Sequence, residues 1–449
     1  MGEANADLPE MRLMKRSSLL LLCAVVAMLC GGVGGQAWAA TARNTTKPHV
    51  TRHRSVRHAH VVVSHRRYER HTAASRSRHT AHVEHVTRHE VSYRTVRRHG
   101  RLVRVRVREV AARHYVAERF TTSSFNPDIT AGDVTAGEDP VVRAAAIAAL
   151  GNYNGTALAI DPSNGRILAM VNQKLALSAG AEPCSTIKVS VALAALQEGL
   201  VTATTPVNLG GHYSLDMTHA LARSVNLYFE VLGRAMGFDR VKHYANEFGL
   251  GELAGYNIPG EHLGVYPDTV LPAADGGVGR MCSFGESISM TPLQLGALVS
   301  AIANGGTLYY LQHPMTPEEI ADFSPKVKRV LNISKSIQQI LPGMAAVVNY
   351  SDGTARSLRT NFVQFPVFGK TGTCSDNGTR FGWFVSYGRS PTGPIVTVIF
   401  LKGDRQVSGP KAADLTGEFY RAMWEHNYFS PKPADLKVMA GTMQRTDGQ

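Results

Sequence analysis

Ser185 and Lys188 stand three residues apart in "EPCSTIKVSVALAALQEG" (Glu182 to Gly199), at the front of an apolar run. Residues at that spacing share one face of a helix, which brings a hydroxyl and an amine within hydrogen-bond reach. A serine hydroxyl is a weak nucleophile until a base takes its proton, and a lysine is a base only when neutral. Burial and nearby positive charge both lower a lysine pKa. The neighbours Ile187, Val189 and Val191 offer such an apolar setting. The serine also opens the helical tract, where free backbone N–H groups and the helix dipole favour developing negative charge. A plainer reading of the same pair is an N-cap serine and a snorkelling lysine. S-x-x-K arises by chance about once or twice in a chain this long, so the pair alone decides nothing.

Two more stretches decide it. "LARSVNLYF" contains Ser224–Val225–Asn226, and "FGKTGTC" contains Lys370–Thr371–Gly372–Thr373. S-x-x-K, then S-x-N, then K-T-G, in that order, is the serine set of penicillin-interacting enzymes. Over roughly residues 140–425 the chain resembles the transpeptidase domain of penicillin-binding proteins. "ALAIDPSNGRILAMV" is similar to that family's opening hairpin, and "HALARSVNLYFEVLGRAMGFDRVKHYANEFGLGE" to the helices around its second motif. "SMTPLQLGALVSAIANGGTLY" resembles its T-P-L-Q…A-N-G-G helix, and "GWFVSYG" the strand after K-T-G. "TPLQL" and "ANGG" are expected to shape and pack the domain rather than touch substrate.

The resemblance implies a role for each residue. Ser185 attacks a carbonyl carbon and is acylated, Lys188 takes its proton, and Ser224 relays that proton to the leaving amine. Asn226 holds the substrate's peptide group while bonding Lys188. Lys370 supplies a fixed positive charge for a substrate carboxylate, which the hydroxyls of Thr371 and Thr373 bind, and Gly372 leaves room for substrate against the strand. The backbone N–H groups of Ser185 and Thr373 form an oxyanion hole. No cofactor and no metal is implied. The expected activity is a serine D,D-transpeptidase that opens the D-Ala–D-Ala bond of peptidoglycan stem peptides and is acylated by β-lactams. With water as acceptor it would be a D,D-carboxypeptidase. Class D β-lactamases share S-T-x-K and K-T-G but usually carry a hydrophobic residue where Asn226 stands. A non-catalytic β-lactam-binding envelope protein is a third reading, which an intact serine–lysine set disfavours. Cys184 and Cys374 depart from the family, standing where it usually has Gly and a small residue. A bridge, a redox-sensitive thiol and simple buried thiols are all compatible with them.

These residues need elements to hold them. "DPVVRAAAIAAL" suits a helix capped by Asp139 with Pro140 in its first turn. "TALAIDPSNGRILAMV" reads as two strands around a turn. A helix follows from Ser185 with Gly199 placed to end it, and helical segments continue to about Phe248. Strands return at "PVFGKTGT", "RFGWFVSYG" and "PIVTVIFLKG", and a last helix runs from about Ala412 to Tyr428. Strands, helices, strands and a terminal helix give an α/β (α+β) class, with a mostly antiparallel sheet packed by helices. The resemblance makes this the β-lactamase/transpeptidase-like fold, over residues 139–430, with a tail at 431–449.

The charge lies elsewhere. Residues 41–120 hold 19 Arg, 1 Lys and 5 Glu, a net +15 that exceeds the whole chain's +13. The same stretch has 12 of the 18 His. The segment 41–138 reads as low-complexity linker, with one possible strand in "RLVRVRVREV". Its cations suit an anionic envelope polymer or membrane surface, and its His lack a recurring metal-ligand spacing. Before it, Arg12, Lys15 and Arg16 precede an apolar run from Leu19 to Val33, then "AWA" at 37–39. Residues 1–40 thus read as a cleaved export signal or an uncleaved signal anchor. The expected location is the periplasmic or outer face of the cytoplasmic membrane, where nucleic acid is not a partner. No glycosyltransferase domain is recognised before the transpeptidase, so no polymerase activity is expected. Lone His212, His219, His243 and His262 are expected at the surface or at caps.

Overall fold

The computed structural model describes residues 119–430 continuously, together with four strands before them. Arg101–Arg106 pairs antiparallel with Tyr93–Arg98, which places a strand in the Arg/Val-alternating stretch. Glu84–Val86 pairs in the same sense with Tyr115–Ala117. The export signal, most of the Arg/His-rich segment and the 431–449 tail lie outside the described residues. Among the described residues no helix is long and apolar enough to cross a membrane.

Five strands form the sheet, in the order Val367–Asp376, Thr379–Ser390, Gly393–Gly403, Gly155–Asp161, Arg166–Val171. Every neighbouring pair is antiparallel. The first two strands turn at Asn377–Gly378, both at positive φ (48° and 71°). That is the Asn-Gly chemistry a two-residue hairpin requires, because its twist matches the flanking strands. The strand carrying Lys370–Thr373 is therefore an edge strand whose register is set by a tight hairpin.

Helices cover both faces. Successive strand residues point to opposite sides. Thr397 faces the terminal helix Gly409–Glu425, whose Tyr420 hydroxyl lies 3.1 Å from its Oγ1. The next residue, Val398, faces the helix Pro292–Ala303, where Gly296 leaves room for the side chains of Ile160, Leu158 and Val398. Helix Pro292–Ala303 is buried from Pro292 to Ile302, as a helix enclosed on all sides must be. "TPLQ" starts it as a capping box: Thr291 Oγ1 accepts from Gln294 N–H, and Gln294 Oε1 accepts from Thr291 N–H. "ANGG" ends it, with Asn304 Oδ1 accepting from Gly306 and Thr307 N–H. Both stretches thus shape and pack the domain.

The helix Pro140–Leu150 has the expected cap, Asp139 accepting from Val141 and Val142 N–H. The helix after Ser185 ends as expected, with Gly199 at φ +65°. Its start differs. Cys184–Ile187 is a 3-10 turn, and the α-helix proper is Lys188–Gln197. Ser185 caps nothing, so the N-cap reading fails and the tighter turn presents its side chain differently. The last helix runs Gly409–Glu425 rather than to Tyr428, starting three residues early because Ser408 caps it through Lys411 N–H.

Gly417 sits in that helix against Leu358. A Cβ there would lie 2.5 Å from the Leu358 carbonyl oxygen and 3.1 Å from Asn361 Cβ. On helix propensity alone Gly417→Ala would gain about 1 kcal/mol. The backbone contact reverses the sign, and we expect a loss of about 1–3 kcal/mol. A lower urea midpoint at unchanged m-value would show it; a raised midpoint would mean the helices separate freely.

Candidate active site

Three segments far apart in the chain converge on Lys188. The turn Cys184–Ile187 carries Ser185, and the first residue of the following helix is Lys188 itself. Arg223, Ser224 and Val225 link the helices Met217–Ala222 and Asn226–Met236, so Asn226 opens the second of them. Ser224 takes φ +56°, a left-handed conformation uncommon for a residue with a Cβ. This bend turns both its carbonyl and its hydroxyl toward the lysine. The edge strand brings Lys370 from the third side.

Lys188 Nζ lies 2.9 Å from Ser185 Oγ, 2.6 Å from Asn226 Oδ1, 2.8 Å from the Ser224 carbonyl oxygen and 3.1 Å from Ser224 Oγ. Lys370 Nζ donates to Ser224 Oγ at 2.9 Å and to the Thr371 carbonyl at 3.0 Å. Ser224 Oγ therefore stands between two amines. Both lysines have 0% exposure. Burial, first, and then the charge of Lys370 hold Lys188 well below the usual lysine range, with Glu230 opposing weakly. Burial pulls Lys370 down to about 7. A neutral Lys188 fits its partners: two N–H groups donate to Asn226 Oδ1 and the Ser224 carbonyl, and the lone pair faces the Ser185 hydroxyl. The arrangement can deprotonate Ser185 and pass a proton through Ser224.

Ser185, Lys188, Ser224, Asn226 and Lys370 are thus brought together. The K-T-G strand departs from expectation in three details. Lys370 is not a fixed charge, because burial pulls its pKa down to about 7. Thr371 is 4% exposed and its hydroxyl donates to Thr354 Oγ1 at 2.6 Å, which leaves it turned inward. Thr373 Oγ1 accepts from Gly409 N–H at 2.8 Å and keeps its own proton to donate. The room at Gly372 is taken by the protein itself: a Cβ there would stand 2.8 Å from the Pro183 carbonyl oxygen and 3.3 Å from Cys184 Cβ. Glycine is required for the Cys184–Ile187 turn to lie on the strand.

Sequence reasoning left the cysteines open; the structure pairs Cys184 with Cys374 and leaves Cys282 as a buried free thiol. Burial pushes the Cys282 thiol up to about 12. Glu182 was missed as a titrating group. Burial, aided by Glu286 and Asp376 and opposed by Arg280, pushes its carboxyl up to about 8. It lines a cleft of ≈ 640 Å³ with Glu286, Ser287, Asp376 and Phe381. No local pattern marks it, since its neighbours come from three other segments. Of the lone histidines, His212, His243 and His262 are exposed, and His219 packs beside the cap Asp216 at 2.8 Å.

The family model for the penicillin binding protein transpeptidase domain matches residues 155–421. Stage V sporulation protein D of Bacillus subtilis is 27% identical over 319 residues, covering 59% of this chain and 48% of that protein. Peptidoglycan D,D-transpeptidase FtsI of Escherichia coli is 27% identical over 242 residues, covering 46% of this chain and 40% of that protein. The chain thus spans about half the length, or less, of these curated relatives. Among solved structures, Pseudomonas aeruginosa PBP2 in complex with WCK 5153 superposes with a TM-score of 0.55 at 22% identity, over 66% of this chain and 80% of that one. That likeness supports the fold, with its antiparallel five-stranded sheet between helices. The family match spans more than half of the chain and contains every residue gathered around Lys188, so the protein belongs to the penicillin-binding protein transpeptidase domain family.

Proposed function

We propose that this chain is a serine D,D-transpeptidase that acts on peptidoglycan stem peptides and is acylated by β-lactams at Ser185. The observation that carries the reading is the buried Lys188 amine 2.9 Å from Ser185 Oγ, its pKa held well below the usual lysine range by burial and by Lys370. Lys188 takes the Ser185 proton as Oγ attacks the carbonyl of the D-Ala–D-Ala bond. Ser224, 3.1 Å from Lys188 Nζ and 2.9 Å from Lys370 Nζ, delivers a proton to the departing D-Ala amine. The backbone N–H groups of Ser185 and Thr373 receive the negative oxygen, a contribution that typically reaches ~2.7–4 kcal/mol per donor. An amine of a neighbouring stem resolves the acyl-enzyme; water in its place gives a carboxypeptidase. An edge strand beside the nucleophile suits an extended peptide, which can pair with its free backbone groups. Lys370, when protonated, and the Thr373 hydroxyl suit the terminal carboxylate. Asn226 within 2.6 Å of Lys188 favours this reading over a class D β-lactamase, which usually has an apolar residue there.

The same reading places the domain, residues 139–430, at the outer face of the cytoplasmic membrane. The signal in residues 1–40 would take it there, and the basic 41–120 tract suits an anionic envelope polymer or lipid surface.

Two outcomes follow for the purified chain. With benzylpenicillin, intact-mass spectrometry should show a lasting adduct of one ligand per chain, absent in Ser185→Ala. Lys188→Ala should acylate roughly 10²–10⁴-fold more slowly. Rapid turnover without an adduct would instead identify a β-lactamase.

The second outcome concerns pH. The base form of Lys188 is populated above its depressed pKa, so the acylation constant rises as pH passes through that value. Lys370 loses its charge near its pKa of about 7, so attraction for the ligand carboxylate falls above it. The second-order acylation constant should therefore be bell-shaped, and Lys370→Gln should remove the alkaline limb. An alkaline limb that persists in Lys370→Gln would assign it to another group.

A further inference from the structure

Cys184 immediately precedes Ser185, and Cys374 immediately follows Thr373. Their Sγ atoms are bonded, with Cα atoms 5.5 Å apart, across 190 residues of sequence. The bond thus joins the residue before one oxyanion donor to the residue after the other. We propose that the Cys184–Cys374 disulfide is a positioning device for acyl transfer, holding the Ser185 and Thr373 backbone N–H groups in register around the scissile carbonyl oxygen. The proposal rests on the acyl-transfer reading above.

Three observations carry it. Cys184 is held at φ +50°, in the left-handed region that a residue with a Cβ seldom occupies. Its ψ and the plane of the next peptide decide where the Ser185 N–H points. Untethered, the residue gains by returning to negative φ, and that rotation turns the N–H away. Second, few polar contacts tie the turn to the sheet. Trp383 Nε1 donates to the Glu182 carbonyl at 3.0 Å, but Trp383 belongs to the neighbouring strand, opposite Gly372. The K-T-G strand itself meets the turn through a weak contact of Cys374 Sγ with the Glu182 carbonyl at 3.9 Å, made by one of the bonded sulfurs, and through close packing of Gly372 beneath Pro183, Cys184 and Thr186. Third, the bond lies at the reaction centre rather than across a surface loop. Cys184 has 0% exposure and leans on the strand between Thr373 and the hairpin. A bond serving stability alone has no need to bracket both donors.

Reduction supplies the test. A phosphine attacks the Sγ–Sγ bond and gives up two electrons; water supplies the oxygen with which it leaves as its oxide and the two protons that the sulfurs take as thiols. The full chain is compared oxidised, reduced under native conditions with the phosphine removed, and reoxidised, with peptide mapping to verify the bond. Binding and acylation of benzylpenicillin are resolved by quenched-flow mass spectrometry, and the melting temperature is followed in parallel. We expect the acylation step to slow roughly tenfold or more on reduction, short of the ~10²–10³ for complete loss of a donor. Binding before acylation should change little, and reoxidation should restore the rate. Cys374→Ala should behave like the reduced chain. Cys184→Gly/Cys374→Ala should recover part of the rate, because glycine takes positive φ without a tether. Equal acylation rates in the oxidised and reduced chains, whatever the melting temperature does, would overturn the proposal while leaving the acyl-transfer reading intact. An oxidised chain that forms no adduct would instead overturn that reading.

Discussion

A lysine amine with no solvent exposure is the constraint on which the rest of this structure depends. Burying a lone ammonium among apolar side chains costs far more than a fold can spare, so the group sheds its proton instead. The fold arranges this at Lys188 by enclosing the whole first two turns of its helix, from Lys188 to Ala195. It then supplies oxygens from Asn226 and the Ser224 carbonyl to receive N–H groups of the amine. Lys370, equally enclosed, adds its own charge to the pressure on Lys188. The two amines share the Ser224 hydroxyl, so neither protonation state is independent of the other.

That arrangement demands backbone shapes the chain would not otherwise take. Ser224 and Cys184 both occupy left-handed conformations, a cost of order 1–3 kcal/mol where a Cβ is present. Each is held by what it touches. Ser224 accepts from both lysines, and Cys184 is bonded to Cys374. The strain is stored within a few ångströms of Ser185, in segments whose partners lie far along the chain.

The scaffold keeps those segments in place by means unrelated to chemistry. The hairpin at Asn377–Gly378 fixes the register of the edge strand, and with it the height of Lys370 and Thr373 beside the Ser185 turn. The capped and fully buried helix Pro292–Ala303 supports one face of the sheet, and the terminal helix Gly409–Glu425 the other. Gly409 then reaches back to Thr373, its N–H donating to the threonine oxygen. Support and site are continuous.

Much of this was legible in the residues alone, and for a local reason. Capping, turn and periodicity signals are properties of a few consecutive residues. Asp139 and Pro140 therefore announced a helix start, Gly199 a helix end, and three strands were visible around K-T-G. The residues that gather around Lys188 were legible because they keep fixed spacings in short motifs in a fixed order. What only the tertiary structure decided were the consequences of enclosure and long-range approach. Whether Lys370 keeps its charge depends on exposure, and the structure leaves it none. Gly372 faces Pro183 rather than open space, and Thr371 turns toward Thr354, because segments from elsewhere arrive there. Cys184 and Cys374 are bonded across 190 residues, a pairing no spacing rule reaches. Local chemistry named the groups, and packing set their protonation, their partners and their geometry.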